Sequence, residues 1–130
     1  MYELSEEEFE RAIEDAIDSI PERFVDDLEN VVFLAEDEPE DWQLERQDGC
    51  FSPGGSDLLG LYDGVNLSER GSGYGGLDDY PDTITIFKGP HERLEGGRDE
   101  ILEEIRKTVV HEVGHYFGMT EEQIEEMGYA

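Results

Sequence analysis

Apolar side chains at Phe9, Ala12, Ile13, Ala16, Ile17 and Ile20 recur with a helical period, and Ser5 with Glu8 three residues on is a capping box that opens the run. The pattern predicts a first helix over 6–18. Pro21 is placed to begin a second, short helical stretch ending by Leu28. Residues 31–35, Val-Val-Phe-Leu-Ala, form an unbroken β-prone apolar run, which reads as a central strand covered on both faces. Residues 36–53 are acidic and show no period, so they read as a loop in which Trp42 anchors packing and Cys50 sits without an assigned role. A short strand follows over 58–62, ended by the turn signal Asp63-Gly64. The stretch 65–80 is rich in glycine but lacks a P-loop lysine and a following helix, so it reads as a flexible loop beside the functional site and not as a phosphate cradle. Thr83, Ile84, Thr85 and Ile86 alternate, which predicts a half-exposed edge strand able to pair with an extended peptide. His91, after Gly89-Pro90, falls in a short helix. A long helix over 98–117 follows, with Leu102, Ile105, Val109, Val113 and Tyr116 as its core stripe and Glu104, Thr108, His111, His115 and Gly118 opposite; a short helix over 121–127 closes the chain.

The long helix carries the chemistry. His111-Glu112-Val113-Gly114-His115 puts two imidazoles one turn apart on one face, with a carboxylate beside them, which is the H-E-x-x-H arrangement of zinc peptidases. Catalytic zinc takes three protein ligands and a water, so one more ligand is needed. Gly118 can turn left-handed and end the helix, returning the chain toward the face it has just left, and Glu121 would then complete the site. Only 15 residues follow His115, so a distant downstream ligand has no room. Two other readings of Glu121 and the third position stay open: Thr120 with Gln123 is itself a capping-box pattern, and His91 is the only other imidazole. Thr108, one turn before His111, is a candidate supporting group, and Tyr62, Arg70 and Tyr74 are candidate donors to an oxyanion.

Charge narrows the class of partner. The chain carries 36 acidic against 9 basic residues, a formal charge of -27 spread along its length. Such a surface repels nucleic acid and anionic membranes, and it is that of proteins working in concentrated salt, so a halophilic source is the leading explanation. The 130 residues suit one domain. One cysteine excludes an internal disulfide, and neither a signal-like N-terminus nor a membrane-length apolar segment is seen, so a cytoplasmic location is expected.

Blocks in order along most of the chain resemble the small prokaryotic minimal zincin family. They are Leu58-Leu59-Gly60-Leu61-Tyr62-Asp63-Gly64-Val65, Ser68-Glu69-Arg70-Gly71, Thr83-Ile84-Thr85-Ile86-Phe87-Lys88-Gly89-Pro90, and Thr108 through Gly118 around the histidine motif. The resemblance implies an α+β fold with a small mixed sheet packed on helices. It also implies a zinc metallopeptidase acting on a peptide or protein substrate, with His111 and His115 as metal ligands and Glu112 as base. That family's third ligand position usually holds aspartate, where this chain has Glu121. The rival reading is a metal-binding protein without turnover, in which zinc holds the C-terminal helix in place.

Overall fold

The computed structural model describes residues 3–26, 28, 31–45, 49–52, 57–64 and 82–126, except the side chains of Arg23, Val25 and Glu121. The glycine-rich stretch 65–80, with Arg70 and Tyr74, lies outside the described residues, as do 127 and the side chain of the expected ligand Glu121.

Helix α1 (Glu6–Ser19) begins where the capping box places it. The Glu8 N–H donates to Ser5 Oγ at 3.1 Å, and the Ser5 N–H donates to Glu8 Oε1 at 3.1 Å. Its buried face of Phe9, Ile13 and Ala16 packs on the long helix. A short helix α2 (Glu22–Val25) follows Pro21. Strand β1 (Val31–Glu36), helix α3 (Asp41–Leu44) and strands β2 (Cys50–Phe51), β3 (Leu58–Asp63) and β4 (Asp82–Phe87) come next. Helices α4 (Lys88–Glu92), α5 (Arg98–Phe117) and α6 (Glu121–Ile124) complete the described chain.

Among the described residues the strands form one sheet in the order β1-β4-β3-β2. β4 runs parallel to β1 and antiparallel to β3, and β2 is antiparallel to β3, so the sheet is mixed and the fold is α+β. α5 lies between α1 and the sheet, which is why its apolar residues do not keep to one stripe. Ile101 and Val110 are buried besides the expected Ile105, Val109, Val113 and Tyr116, whereas Leu102 is only half-buried.

Two strand positions differ from expectation. β1 is at the edge, with Val31 and Phe33 against the core and Val32 and Leu34 41% and 37% exposed. An apolar run states what a strand could bury, and its neighbours decide what it does bury. β4, expected at an edge, sits between β1 and β3; Ile84 and Ile86 join the main core, while Thr85 and Phe87 are buried too. Threonine has a methyl as well as a hydroxyl, so alternation with isoleucine did not mean alternation with solvent. Among the described residues the edge on that side is therefore β1. Nor is 36–53 a bare loop, since it holds α3 and β2, and Trp42 is 48% exposed with its Nε1–H donating to Glu40 Oε2 at 2.8 Å instead of anchoring the core.

Candidate metal centre

The last two turns of α5 carry His111, Glu112 and His115. The imidazole centroids are 4.5 Å apart and the ring planes meet at 67°, so the one-turn spacing brings both rings together on one side of the helix. Glu112 lies beneath them, fully buried, with one carboxylate oxygen for each ring: His111 Nδ1 donates to Oε2 at 3.3 Å and His115 Nδ1 donates to Oε1 at 3.2 Å. Burial pushes the Glu112 carboxyl up, but the two imidazole hydrogen bonds and the charges behind them outweigh it, and the group is held below the ordinary carboxylate value. An ionised carboxylate only accepts, so both Nδ1 atoms carry the proton and each ring's lone pair sits on Nε2. One buried anion thereby sets the tautomer of both imidazoles.

The sheet admits this helix through one missing side chain. A Cβ on Gly60 of β3 would lie 2.5 Å from Thr108 Cγ2 and 3.4 Å from Glu112 Cγ, so glycine lets α5 settle against the strand at the level of the motif. Opposite Gly60 in the β2–β3 ladder stands Cys50, and residues opposed across a ladder share a face. A metal-ligating atom of Cys50, one of His111 and one of Glu112 all lie within 4.8 Å of one another. Sequence reading gave Cys50 no role. The signal available was its residue type, a soft ligand with no disulfide partner in a chain that also carries a metal motif; its distance along the chain hid the contact.

The end of α5 forms as Gly118 predicts. Gly118 adopts φ 72° and ψ 28°, its N–H donates to His115 O at 3.0 Å, and the Met119 N–H donates to Gly114 O at 3.0 Å. This pair of bonds is a Schellman motif, and it reverses the chain. Thr120 then caps α6: the Gln123 N–H donates to Thr120 Oγ1 at 3.2 Å, and the Thr120 N–H donates to Gln123 Oε1 at 2.8 Å. Ile124 is buried against Gly114, inside the histidine motif itself. α6 is thus docked back on the last turns of α5, with Glu121 as its first residue.

Other candidates are committed elsewhere. His91 is fully buried on α4, with Nδ1 2.7 Å from Phe87 O and Nε2 2.9 Å from Thr108 Oγ1, so neither nitrogen is offered to an ion. A carbonyl can only accept, hence Nδ1 carries the proton, while the Thr108 hydroxyl lies 2.9 Å from His91 Nε2 and donates to the Glu104 carbonyl at 2.9 Å. Desolvation lowers the His91 pKa to about 4, against the opposing pull of its backbone partners. Thr108 consequently serves His91 and faces the sheet instead of supporting His111 on an open side of the helix. The Tyr62 hydroxyl donates to buried Asp82 at 2.7 Å, and its ring packs edge-on against Tyr116, so its proton is not directed at an oxyanion.

Two imidazoles pre-set on Nε2, with thiol and carboxylate groups at hand, make a donor set suited to zinc, which binds nitrogen, sulfur and oxygen ligands tetrahedrally. Among the described residues no helix is long and apolar enough to cross a membrane. No curated protein matches the chain. A family model for zincin-like metallopeptidases matches residues 28–129, which spans the sheet, the histidine helix and α6 together. With the match extending so far beyond the motif, the chain belongs to the zincin-like metallopeptidase family.

Proposed function

We propose that the protein is a zinc-dependent hydrolase of peptide bonds, with the metal held by His111, His115 and Glu121 and with Glu112 as the base. The observation that carries the reading is the buried Glu112 carboxylate bridging two imidazoles that meet on one face. Zinc at such a site lowers the pKa of water toward neutrality and polarises the carbonyl to be attacked. His111 and His115 offer Nε2, held in place through their Nδ1–H bonds to Glu112. Glu112, kept ionised, receives the proton of the attacking water on a carboxylate oxygen and returns it to the leaving amine. The Schellman turn at Gly118 and the docking of Ile124 on Gly114 bring the backbone of Glu121 back toward the helix end, which supports the role of its longer side chain as third ligand. The substrate is a peptide or protein. Nucleic acid and anionic membrane are disfavoured by the charge of -27.

Metal analysis and peptide hydrolysis on the same variants test this. His111→Ala and His115→Ala should each bring bound zinc to background, since two remaining ligands hold the ion poorly. Glu112→Gln should lose hydrolysis by about a hundredfold or more, because it removes the base, and should keep zinc with weakened affinity, because the amide oxygen still accepts from one imidazole and the amide NH2 cannot accept from the other. Glu121→Gln should weaken zinc binding without loss of helix content, whereas tight binding in that variant would take Glu121 out of the ligand set. A second reading, a metal site without turnover, is favoured by the nearness of Cys50 to His111, because a further protein ligand closes the open position that catalysis needs. Wild-type hydrolysis that Glu112→Gln abolishes would exclude it.

A further inference from the structure

We propose that Cys50 is a ligand of the metal at the histidine pair, so that the resting site is capped by a thiolate delivered from β2. The proposal rests on the reading of His111 and His115 as metal ligands. Cys50 reaches the site for structural reasons. It opposes Gly60 across the β2–β3 ladder, and Gly60 is where a Cβ would run into Thr108 and Glu112 of α5. The register shifts between Cys50 and Phe51, and such an irregularity at a sheet edge re-aims a side chain. The result is that ligating atoms of Cys50, His111 and Glu112 stand within 4.8 Å of one another, with the ring of His115 beside that of His111.

Ligands of one tetrahedral zinc, at about 2.0 Å for nitrogen and about 2.3 Å for sulfur, stand roughly 3.5 Å apart. Cys50 and His111 are therefore near enough, within 4.8 Å, to be brought onto one ion by side-chain rotation, with His115 following from its place beside His111. On binding, the thiol gives its proton to solvent and the sulfur lone pair forms the metal bond. Glu112 keeps its part beneath the rings, bonded to both Nδ1 atoms. Cys50 would then hold the position a water must occupy for hydrolysis. β2 lies at the edge of the sheet among the described residues, so the cap is carried by an edge strand.

Cobalt(II) substitution tests this in the full chain, since a thiolate bound to cobalt gives an intense near-ultraviolet charge-transfer band and imidazole ligation alone gives only weaker visible bands. Cys50 is the one cysteine in the sequence, so the band has a single possible source. The expected result is a near-ultraviolet band in the wild type that disappears in Cys50→Ser while the visible bands remain. A wild type with visible bands and no charge-transfer band overturns the Cys50 assignment alone; cobalt that His111→Ala retains in full overturns the histidine site and the cap with it. A second measurement needs no Cys50 variant. Alkylation of Cys50 by iodoacetamide should slow by about tenfold or more when zinc is added, because a metal-bound thiolate is withdrawn from reaction, and His111→Ala should abolish that protection. An alkylation rate indifferent to zinc in the wild type would overturn the proposal.

Discussion

His91 is held by the core alone, between the Phe87 carbonyl and the Thr108 hydroxyl, and burial keeps it neutral with a pKa of about 4. The unfolded chain has no such restraint and takes up a proton near the ordinary value of 6.5. As pH falls through that window the unfolded state gains a proton that the fold refuses, so this contribution to stability is present above about 6.5 and is lost progressively down to about 4. The full loss is about 3 kcal/mol. Glu8, Glu92, Glu103 and Glu112 are all held below their ordinary 4.5, so their contributions are lost lower, as pH falls through their folded values. The upper part of the window is thus where His91 should be distinguished, by comparing wild type with His91→Gln in denaturant titrations at pH 7 and pH 5. The variant should lose less stability over that interval; parallel curves would mean that His91 is not the group being protonated. At this scale the sequence placed Glu112 and the histidine pair through their spacing on one helix, which is a local property. It could not place His91, Thr108 or Cys50, whose roles depend on which strand or helix lies opposite.

α5 and α6 are joined by devices whose residues can be read from the chain: Gly118 at φ 72° stops one helix and Thr120 with Gln123 starts the next. The limits of α1 and α5 were legible for the same reason, because caps and a helical period are contained in neighbouring residues. Strand order was not, since nothing within 31–35 or 83–87 says which of them will have a neighbour on each side, and β4 lies inside the sheet with β1 at its edge, the reverse of what their patterns suggest. Gly60 and Gly114 were equally silent, their value lying in what approaches them. At Gly114 a Cβ would lie 2.6 Å from Ile124 Cδ1, so Gly114→Ala should destabilise by about 1–3 kcal/mol through overcrowding, less what alanine returns in helix propensity. With Ile124→Ala the obstruction is gone, and in that background the same change should be neutral or stabilising by up to about 1 kcal/mol. Equal effects in both backgrounds, by chemical denaturation, would mean that Ile124 does not dock α6 on the histidine helix.

The whole molecule must fold against a charge of -27. Among the described residues the cations are few and mostly engaged: Arg93 binds both Glu38 and Asp57, at 2.9 and 3.0 Å, tying α4 to the segment after β1 and to the start of β3, Lys88 pairs with Glu92 at 2.9 Å, and Arg106 pairs with Glu103 at 2.7 Å. Glu38 and Asp57, by hydrogen bond and by charge, hold the Arg93 guanidinium still more firmly protonated than usual. Salt acts on these pairs and on the general repulsion with opposite signs, so magnitudes decide the outcome. Partly exposed pairs of this kind contribute roughly 0–1 kcal/mol each, and screening removes at most that. Repulsion among unpaired carboxylates runs over the whole surface, and its reach shrinks from about 10 Å at 0.1 M salt to about 3 Å at 1 M. The repulsive side should dominate, and we expect the melting temperature of the protein to rise continuously from low salt into the molar range, by well over the few degrees that loss of the ion pairs would subtract. Arg93→Gln separates the two effects: it should lower stability most at low salt, where its pairs are unscreened, and the gap to wild type should close as salt rises. A melting temperature flat between 0.1 M and 1 M potassium chloride would show that neighbouring carboxylates do not strain the fold, and the expectation of a halophilic source would fall with it.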